Sequence, residues 1–579
     1  MSDIHEPLQQ YRDEFRAAFA RNAEEAFDSI LKRSGVDEAA NARTCGEIDT
    51  ADRKIADSES RISTMWFLFA LCIIGSLALF LPVVFYTEFA ELLSGWGLDD
   101  ETWTLVIVIG LCVIGATGFM LTLTLFKRRI EEMKAEVEKI REKRRELLRE
   151  AFRQMAPLNA LFSWDIPTKL ITKTVPSIKF DPYFNAARLQ QISTEFGYGG
   201  GLNEDSSVLF AHSGEIKGNP FVIATLRKFE WGTKVYTGSK TIYWTERERD
   251  TNGQWHTVTR SQTLYANVEK PCPEFGNKTF LMYANEAAPN LSFTRSPEGL
   301  SDEGSKLGRK RKLRRLQKFS RKLDDNSDYT LMTNEEFEVL FSTTDRDNEV
   351  EYRLLFTPLA QRALLELMKD RTVGYGDDFS MAKSRMINVV FPEHLRGFSL
   401  DTDPERWKGY RLRDIKKRFV SENEAYFKAI YFAFAPLLSI PLYQQTRTRK
   451  EIYGEDLIRD SSFWEWEAIA NYRGEKRYAH PSCITENILK TSLVSGGKDG
   501  KKTIRVSAHG FKGTQHTDYI SVWGGDGNFH QVPVDWIEYK SVCRESDEQI
   551  EELPESDKEV IRSDSYPTTR LRRRILLGE

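Results

Sequence analysis

The sequence predicts an α+β protein, a two-helix transmembrane hairpin with a coiled-coil-like cytosolic stalk and a large β-rich cytosolic region. Three observations predict it. Two apolar runs, 65–86 and 103–126, each pass twenty residues without a charge. A helix-period pattern of apolar residues then continues beyond the second run. From Pro157 onward, stretches rich in Val, Ile, Thr, Tyr, Phe and Trp alternate with Gly-containing turns.

Composition bounds the rest. At roughly 100–200 residues per domain, 579 residues allow about three to five structural units. With 29% charged and 12% aromatic residues, wholesale disorder is excluded. A net charge of −4 excludes a general nucleic-acid-binding field, so nucleic acid is not an expected partner. A mean hydropathy of −0.47 excludes a transporter built mostly of membrane helices. The six Cys contain no C-x-x-C pair and fit neither a disulfide scaffold nor a zinc ribbon.

The apolar runs are long enough to cross a hydrocarbon core of about 30 Å, which needs about 20 helical residues. Arg53, Lys54 and Arg61 precede the first, and Lys127, Arg128 and Arg129 follow the second. The loop between them holds Glu88, Glu91, Asp99, Asp100 and Glu101 and no cation. The positive-inside rule therefore places both termini in the cytosol, at the inner or plasma membrane, with residues 87–102 outside. Neither run carries an ionisable residue that would mark a transport path.

After the second run, Phe126, Ile130, Met133, Val137, Ile140, Arg144, Leu147 and Ala151 follow steps of four and three, a coiled-coil seam broken by Arg144. Ile48, Ala51, Ile55, Ser58 and Ile62 repeat the spacing more weakly before the first run. Because a hairpin joins the two, mutual antiparallel pairing is expected; the alternative is a homo-oligomer through the stalk. Residues 8–33 read as an amphipathic helix bearing Phe15, Phe19, Phe27 and Ile30 on one side, ended by Gly35.

The expected order is N-terminal cytosolic helices (1–64), the transmembrane hairpin (65–126), a juxtamembrane helix (127–155) and a β-rich domain (156–300). A basic linker helix (301–328), an α+β domain (329–450), a C-terminal β-rich region (451–544) and a charged tail (545–579) follow. Strands are expected at 206–216, 219–229, 233–248 and 254–270, the last two as a hairpin about Asp250–Gly253. Residues 335–370 read as a helical turn, a hairpin and a helix started at Pro358. Tyr426–Tyr443 is a shorter apolar run interrupted by Lys428, Pro436 and Pro441. It reads as buried core, with a membrane-resting segment as the alternative.

The run Glu335–Phe337, Phe341 and Glu351-Tyr352-Arg353-Leu354-Leu355-Phe356-Thr357-Pro358, after FGYGGGLNEDSSVLFAHSGEIKGNPFVIATL, resembles a bacterial family of uncharacterised membrane proteins. Those proteins join a membrane helix pair to a mixed α/β cytosolic domain of unknown function. The resemblance covers about residues 155–370 as hydrophobic pattern. It implies a membrane-anchored cytosolic domain and carries over no active-site residue.

Chemistry is sparsely signalled. Gly496–Thr503 lacks the P-loop spacing and reads as a hairpin turn; Gly197–Gly201 lacks the strand–loop–helix setting of a phosphate cradle. No cofactor is expected. His480, Cys483, His509, His516 and His530 are the metal candidates, although scattered surface histidines are the commoner outcome. Asp377 and Asp378 pair two carboxylates in what otherwise reads as a polar turn. Between Lys306 and Lys322 ten cations share an amphipathic helix with Leu313, Leu316, Phe319 and Leu323. Arg309, Lys310, Arg311, Lys312, Arg314 and Arg315 are the candidate contacts to anionic lipid of the bilayer, a solvated linker being the alternative. The function expected is a membrane-anchored cytosolic scaffold or interaction protein whose protein partner is unknown. A membrane-tethered enzyme with a site assembled from distant residues is the alternative.

Overall fold

The computed structural model describes residues 4–85, 87–89, 101–249, 254–321, 329–446, 461–496, 501–552, 570–572 and 575–577. With 49% helix and 29% strand the chain is α+β. It forms two compact units, the smaller comprising Ala26–Phe162 with Glu405–Val420 and the larger the remainder.

Two long helices, Glu38–Ala78 and Glu101–Asn159, dominate the smaller unit. Asp37 caps the first by accepting from the Ala40 N–H at 3.0 Å, and Gly35, at φ +64°, ends the preceding helix Arg16–Ser34. Their antiparallel course is marked by Gln154 on Thr44, Arg144 on Asp52, Arg141 on Glu59, Phe126 beside Phe69 and Gly118 beside Ser76. Ile48, Ala51, Ile130, Val137 and Ala151 are buried in the seam. Arg144 interrupts the apolar repeat because it meets Asp52 there. The expected pairing is thus made within one chain. A Cβ at Gly115 would overlap Phe80 and press on the Ser76 carbonyl, so glycine permits the close crossing.

Both helices contain windows long and apolar enough to cross a membrane, with mean hydropathies of 2.7 and 2.4. Those windows are 0% and 11% buried, whereas a core helix of such composition would be covered. Most of the acidic loop between them lies outside the described residues. At the other end of the unit, Asn41 donates to the Tyr410 carbonyl at 2.9 Å and accepts from the Leu412 N–H at 3.2 Å.

The larger unit contains, among the described residues, a seven-stranded antiparallel sheet in the order β1-β2-β3-β4-β7-β6-β5. These are β1 (Ile178–Phe180), β2 (Ser206–Ile216), β3 (Asn219–Arg249), β4 (Trp255–Ala284), β5 (Ser292–Arg295), β6 (Phe379–Ser384) and β7 (Ile387–Pro392). The two strands expected at 219–229 and 233–248 are one. Gly232 keeps register opposite Cys272, and pairing runs unbroken from Phe221–Tyr283 to Arg249–Trp255.

Each face of this sheet carries helices. On one, Phe184, Ile192 and Trp464 close over Val222, Ala224 and Met282. On the other, Phe434 of helix Leu412–Leu438 meets Phe221 and Phe180. Ile430, Tyr431, Phe434 and Ile440 are fully buried, so Tyr426–Tyr443 is core. Its charge, Lys428, lies over the Tyr375 ring at 4.9 Å. The N-terminal aromatics complete this layer, with Phe19 stacked on Phe427 at 4.2 Å.

One expectation fails outright. The hairpin read between Phe341 and Pro358 is the helix Glu349–Leu355, capped by Asn348, which accepts from the Glu351 N–H at 3.1 Å. The alternating Val350, Tyr352 and Leu354 imitate a strand, but Val350 and Leu354 are exposed while Tyr352 and Leu355, one turn apart, are buried.

A second sheet orders β8 (Ile488–Gly496), β9 (Lys501–Trp523), β10 (Phe529–Glu552), β11 (Arg570–Arg572) and β12 (Ile575–Leu577) as β11-β12-β10-β9-β8. β10 runs on through residues 545–552, which the sequence assigns to the tail. It does so because Arg505 of β9 meets Glu545 and Asp547 there and Ile550 is buried. The β3–β4 and β9–β10 hairpins extend past their neighbours and pack face to face. Ile242, Leu264 and Ala266 bury against Val532 and Val534. Gly238 allows this approach, since a Cβ there would overlap the Pro533 carbonyl.

Candidate interaction surfaces

The basic segment forms the helix Lys306–Ser320. Its apolar side is occupied by the protein itself: Leu316 is buried with Tyr329 and Val339, and Leu313 and Phe319 pack against them. Two of the six candidate cations turn the same way. Arg309 pairs with Glu336 at 3.4 Å and Lys312 with Glu298 at 2.7 Å, and burial pulls the Lys312 ammonium pKa down. The charges of those two are therefore answered within the chain. Lys310, Arg311, Arg314 and Arg315 are exposed and have no carboxylate partner among the described residues. Leu307, one turn before them, is 73% exposed.

The paired carboxylates of the Gly374–Asp378 turn are separated by their partners. Asp377 meets Arg295, both buried, and the guanidinium lies over Phe379 at 4.2 Å. Burial pushes the Asp377 carboxyl up and opposes the charge on Arg295, which also holds the Phe379 carbonyl. Asp378 contacts His394 Nδ1 at 2.5 Å, while His394 Nε2 donates to the Ala429 carbonyl at 2.9 Å. Tyr375 covers the ring at 4.0 Å. An Asp–His pair with both ring nitrogens engaged has no lone pair to offer a substrate, so it fixes the turn to the core helix.

The metal candidates do not converge. His480 Nδ1 faces the Ser482 hydroxyl at 2.8 Å, and the Cys483 thiol faces the Thr485 carbonyl at 3.5 Å. His509 stands opposite Cys543, His516 opposite Trp536 and His530 opposite Val522 in the β9–β10 ladder. At about 3.3 Å per residue these levels lie roughly 20 Å apart, against bonds of about 2 Å in a zinc site. Two of them have other company: His516 stacks on Trp536 at 4.9 Å and meets Glu538 at 3.0 Å. His530 meets Asp526 at 2.9 Å and, with Asn528, holds that carboxyl down at about 2. Among the described residues no group of three His, Cys, Asp or Glu is placed to hold a metal.

Glycine loops resolve similarly. Gly197, at φ +72°, ends the helix Ala186–Phe196 as a left-handed C-cap. Gly496 ends β8, and residues 497–500 lie outside the described residues. Within the smaller unit a cleft of about 900 Å³ is lined by Cys45, Asn41, Arg411 and Lys416 among others. Asp49 neutralises Arg411 at 2.6 Å, Asp28 neutralises Lys416 at 2.8 Å, and burial pushes the Cys45 thiol up. Arg411 and Lys416 are thus paired, and Cys45 is not an activated nucleophile.

The paired ribbons offer a different surface. β2 pairs with β3 only to Lys228, and β7 reaches β4 only from Leu281, so Phe229–Arg249 and Trp255–Phe280 stand out as a two-stranded ribbon. Tyr243, Trp255 and Tyr265 on it, and Tyr519, Trp523 and Phe529 on its partner, are more than half exposed. Alternation along a Thr-rich strand signals such a face, but the sequence alone does not say which side the second ribbon covers. No family model, curated protein or solved structure matches this chain, so what these surfaces do follows from their own geometry.

Proposed function

We propose that this chain is a membrane-anchored cytosolic scaffold or interaction protein that contacts the inner leaflet through its basic helix. The two exposed apolar helices support the anchor, and the cations flanking them support cytosolic termini at an inner or plasma membrane. The leaflet contact is carried by one observation: the helix uses its apolar side on its own core and leaves Lys310, Arg311, Arg314 and Arg315 exposed without carboxylate partners among the described residues. The contact is therefore electrostatic rather than insertional. Near an anionic leaflet each cation contributes about 1 kcal/mol, so four supply about 4 kcal/mol, weakened by salt.

The test uses the full chain in vesicles, with Cys543→Ser and a fluorophore on Leu307→Cys, and acceptor dye on lipid headgroups. Energy transfer should rise with the anionic lipid fraction, fall with salt and disappear in the Lys310→Gln, Arg311→Gln, Arg314→Gln, Arg315→Gln variant. Transfer that ignores both lipid charge and the substitutions would mean a solvated face.

A further inference from the structure

The exposed face of the β3–β4 ribbon is built from a repeated motif. T-x-S-x-T-[IL]-Y starts at Thr237 and again at Thr259. Its apolar members, Ile242 and Leu264, point inward and bury against β10. Its polar members all point outward, as the period of two requires. The register places Thr241 opposite Thr263, Ser239 opposite Tyr265 and Tyr243 opposite Ser261. A local two-fold axis normal to the ribbon, midway between Thr241 and Thr263, therefore exchanges the two copies of the motif. Tyr243 and Tyr265, 72% and 66% exposed, stand at its opposite corners. From 237 to 245 and from 257 to 267 no outward residue is charged, in a chain where 29% of residues are.

We propose that this face joins two copies of the chain, ribbon on ribbon. A symmetric contact sets a surface against itself, so every charge on it would approach its own image. This face has none, whereas the basic helix could not pack on its own copy. Its hydroxyls both donate and accept, and so complement themselves; Thr241 and Thr263 already bond each other at 3.1 Å, as Thr225 and Thr279 do at 2.9 Å. The local two-fold axis doubles the match, since each contact made by one motif recurs through the other.

The contact is small. Nine residues per strand span about 30 Å and two strands about 10 Å, a footprint of roughly 300 Å². A standard interface takes about 800 Å² from each partner. Association therefore depends on two copies sharing one membrane, where anchoring raises their effective concentration. For that concentration alone, the inference rests on the membrane-anchored reading.

The experiment uses the full chain in vesicles, with Cys543→Ser and Thr241→Cys, treated with a short bis-maleimide. Retention of the chain in the alkali-washed membrane pellet is scored separately, so loss of anchoring is distinguished from loss of association. A cross-linked dimer is expected at Thr241→Cys and not at Ser521→Cys, on the outer face of the other ribbon. Adding Ser239→Asp and Ser261→Asp should lower the dimer at least about tenfold, since like charges in contact cost several kcal/mol. Mixing that chain with one carrying Ser239→Lys and Ser261→Lys should restore it, which misfolding would not allow. Equal cross-linking at both positions, no dimer in a membrane-retained chain, or no restoration by the mixed charges would overturn the proposal.

Discussion

Replacing Arg346 with Met should loosen the seat of the basic helix. The Arg346 side chain is 0% exposed and Glu338 1% exposed, with guanidinium nitrogens 3.0 and 3.2 Å from the carboxylate. Arg346 also donates to Glu349 at 2.6 Å and to the Thr330 carbonyl at 2.7 Å. Its guanidinium lies between the rings of Tyr329 at 4.3 Å and Tyr352 at 4.1 Å. Tyr329 donates to Glu338 at 3.0 Å and packs on Leu316 of the basic helix, so this cluster positions the cation face. Arg346→Met leaves Glu338 buried without its cation, and breaking a buried pair from one side costs about 3–5 kcal/mol. Glu338→Leu combined with Arg346→Met removes both charges and should recover most of that loss. The assay is trypsin cleavage within 306–320 under native conditions, read across a urea series. A single substitution costing less than about 1 kcal/mol, or a double variant worse than either single, would refute this reasoning.

Two further outcomes follow from buried positions. Ile130→Asp with Val137→Asp sets two charges into a seam where both side chains are 3% exposed, and should cost several kcal/mol, measured as a lower Tm and faster proteolysis of the stalk. Lys383, buried and held by the carbonyls of Ala287 and Arg385, has its pKa pushed down to about 7 by burial, against the pull of Glu351 and Asp347. Between about 7 and 10.5 the unfolded chain binds the proton that the folded chain has lost, so stability rises with pH there. Lys383→Met should remove that slope, up to about 1.4 kcal/mol per pH unit, measured by denaturation at pH 7, 8 and 9.

The elements that the sequence reveals are those with long, unmixed periodicity. The two apolar runs, the stalk seam and the β3–β4 hairpin each repeat one pattern over many residues, and all are present. Short elements mislead. Val350, Tyr352 and Leu354 alternate by chance over little more than one helical turn, in a helix that Asn348 caps. Strand ends were lost where charge masks pairing: Glu545 and Asp547 look like a solvated tail until Arg505 lies opposite them. Of the surfaces, the basic helix was visible as composition, but its inward Arg309 and Lys312 were not, because Glu336 and Glu298 come from other segments. The histidines of the C-terminal β region are metal candidates by count alone, and the roughly 20 Å that six or seven strand residues span keeps them apart.

Anchoring with the β-rich region on the cation-flanked side is the central claim, and thiol accessibility tests it most directly. In intact cells, with Cys543→Ser, a membrane-impermeant maleimide is applied to Gly95→Cys in the acidic loop and to Leu307→Cys on the basic helix. Leu307 is the right internal probe because it is 73% exposed, whereas Ser301 nearby is buried and would escape labelling on either side. The account predicts labelling at 95 before lysis and at 307 only after it. Labelling at 307 in intact cells, with protection at 95, would contradict it.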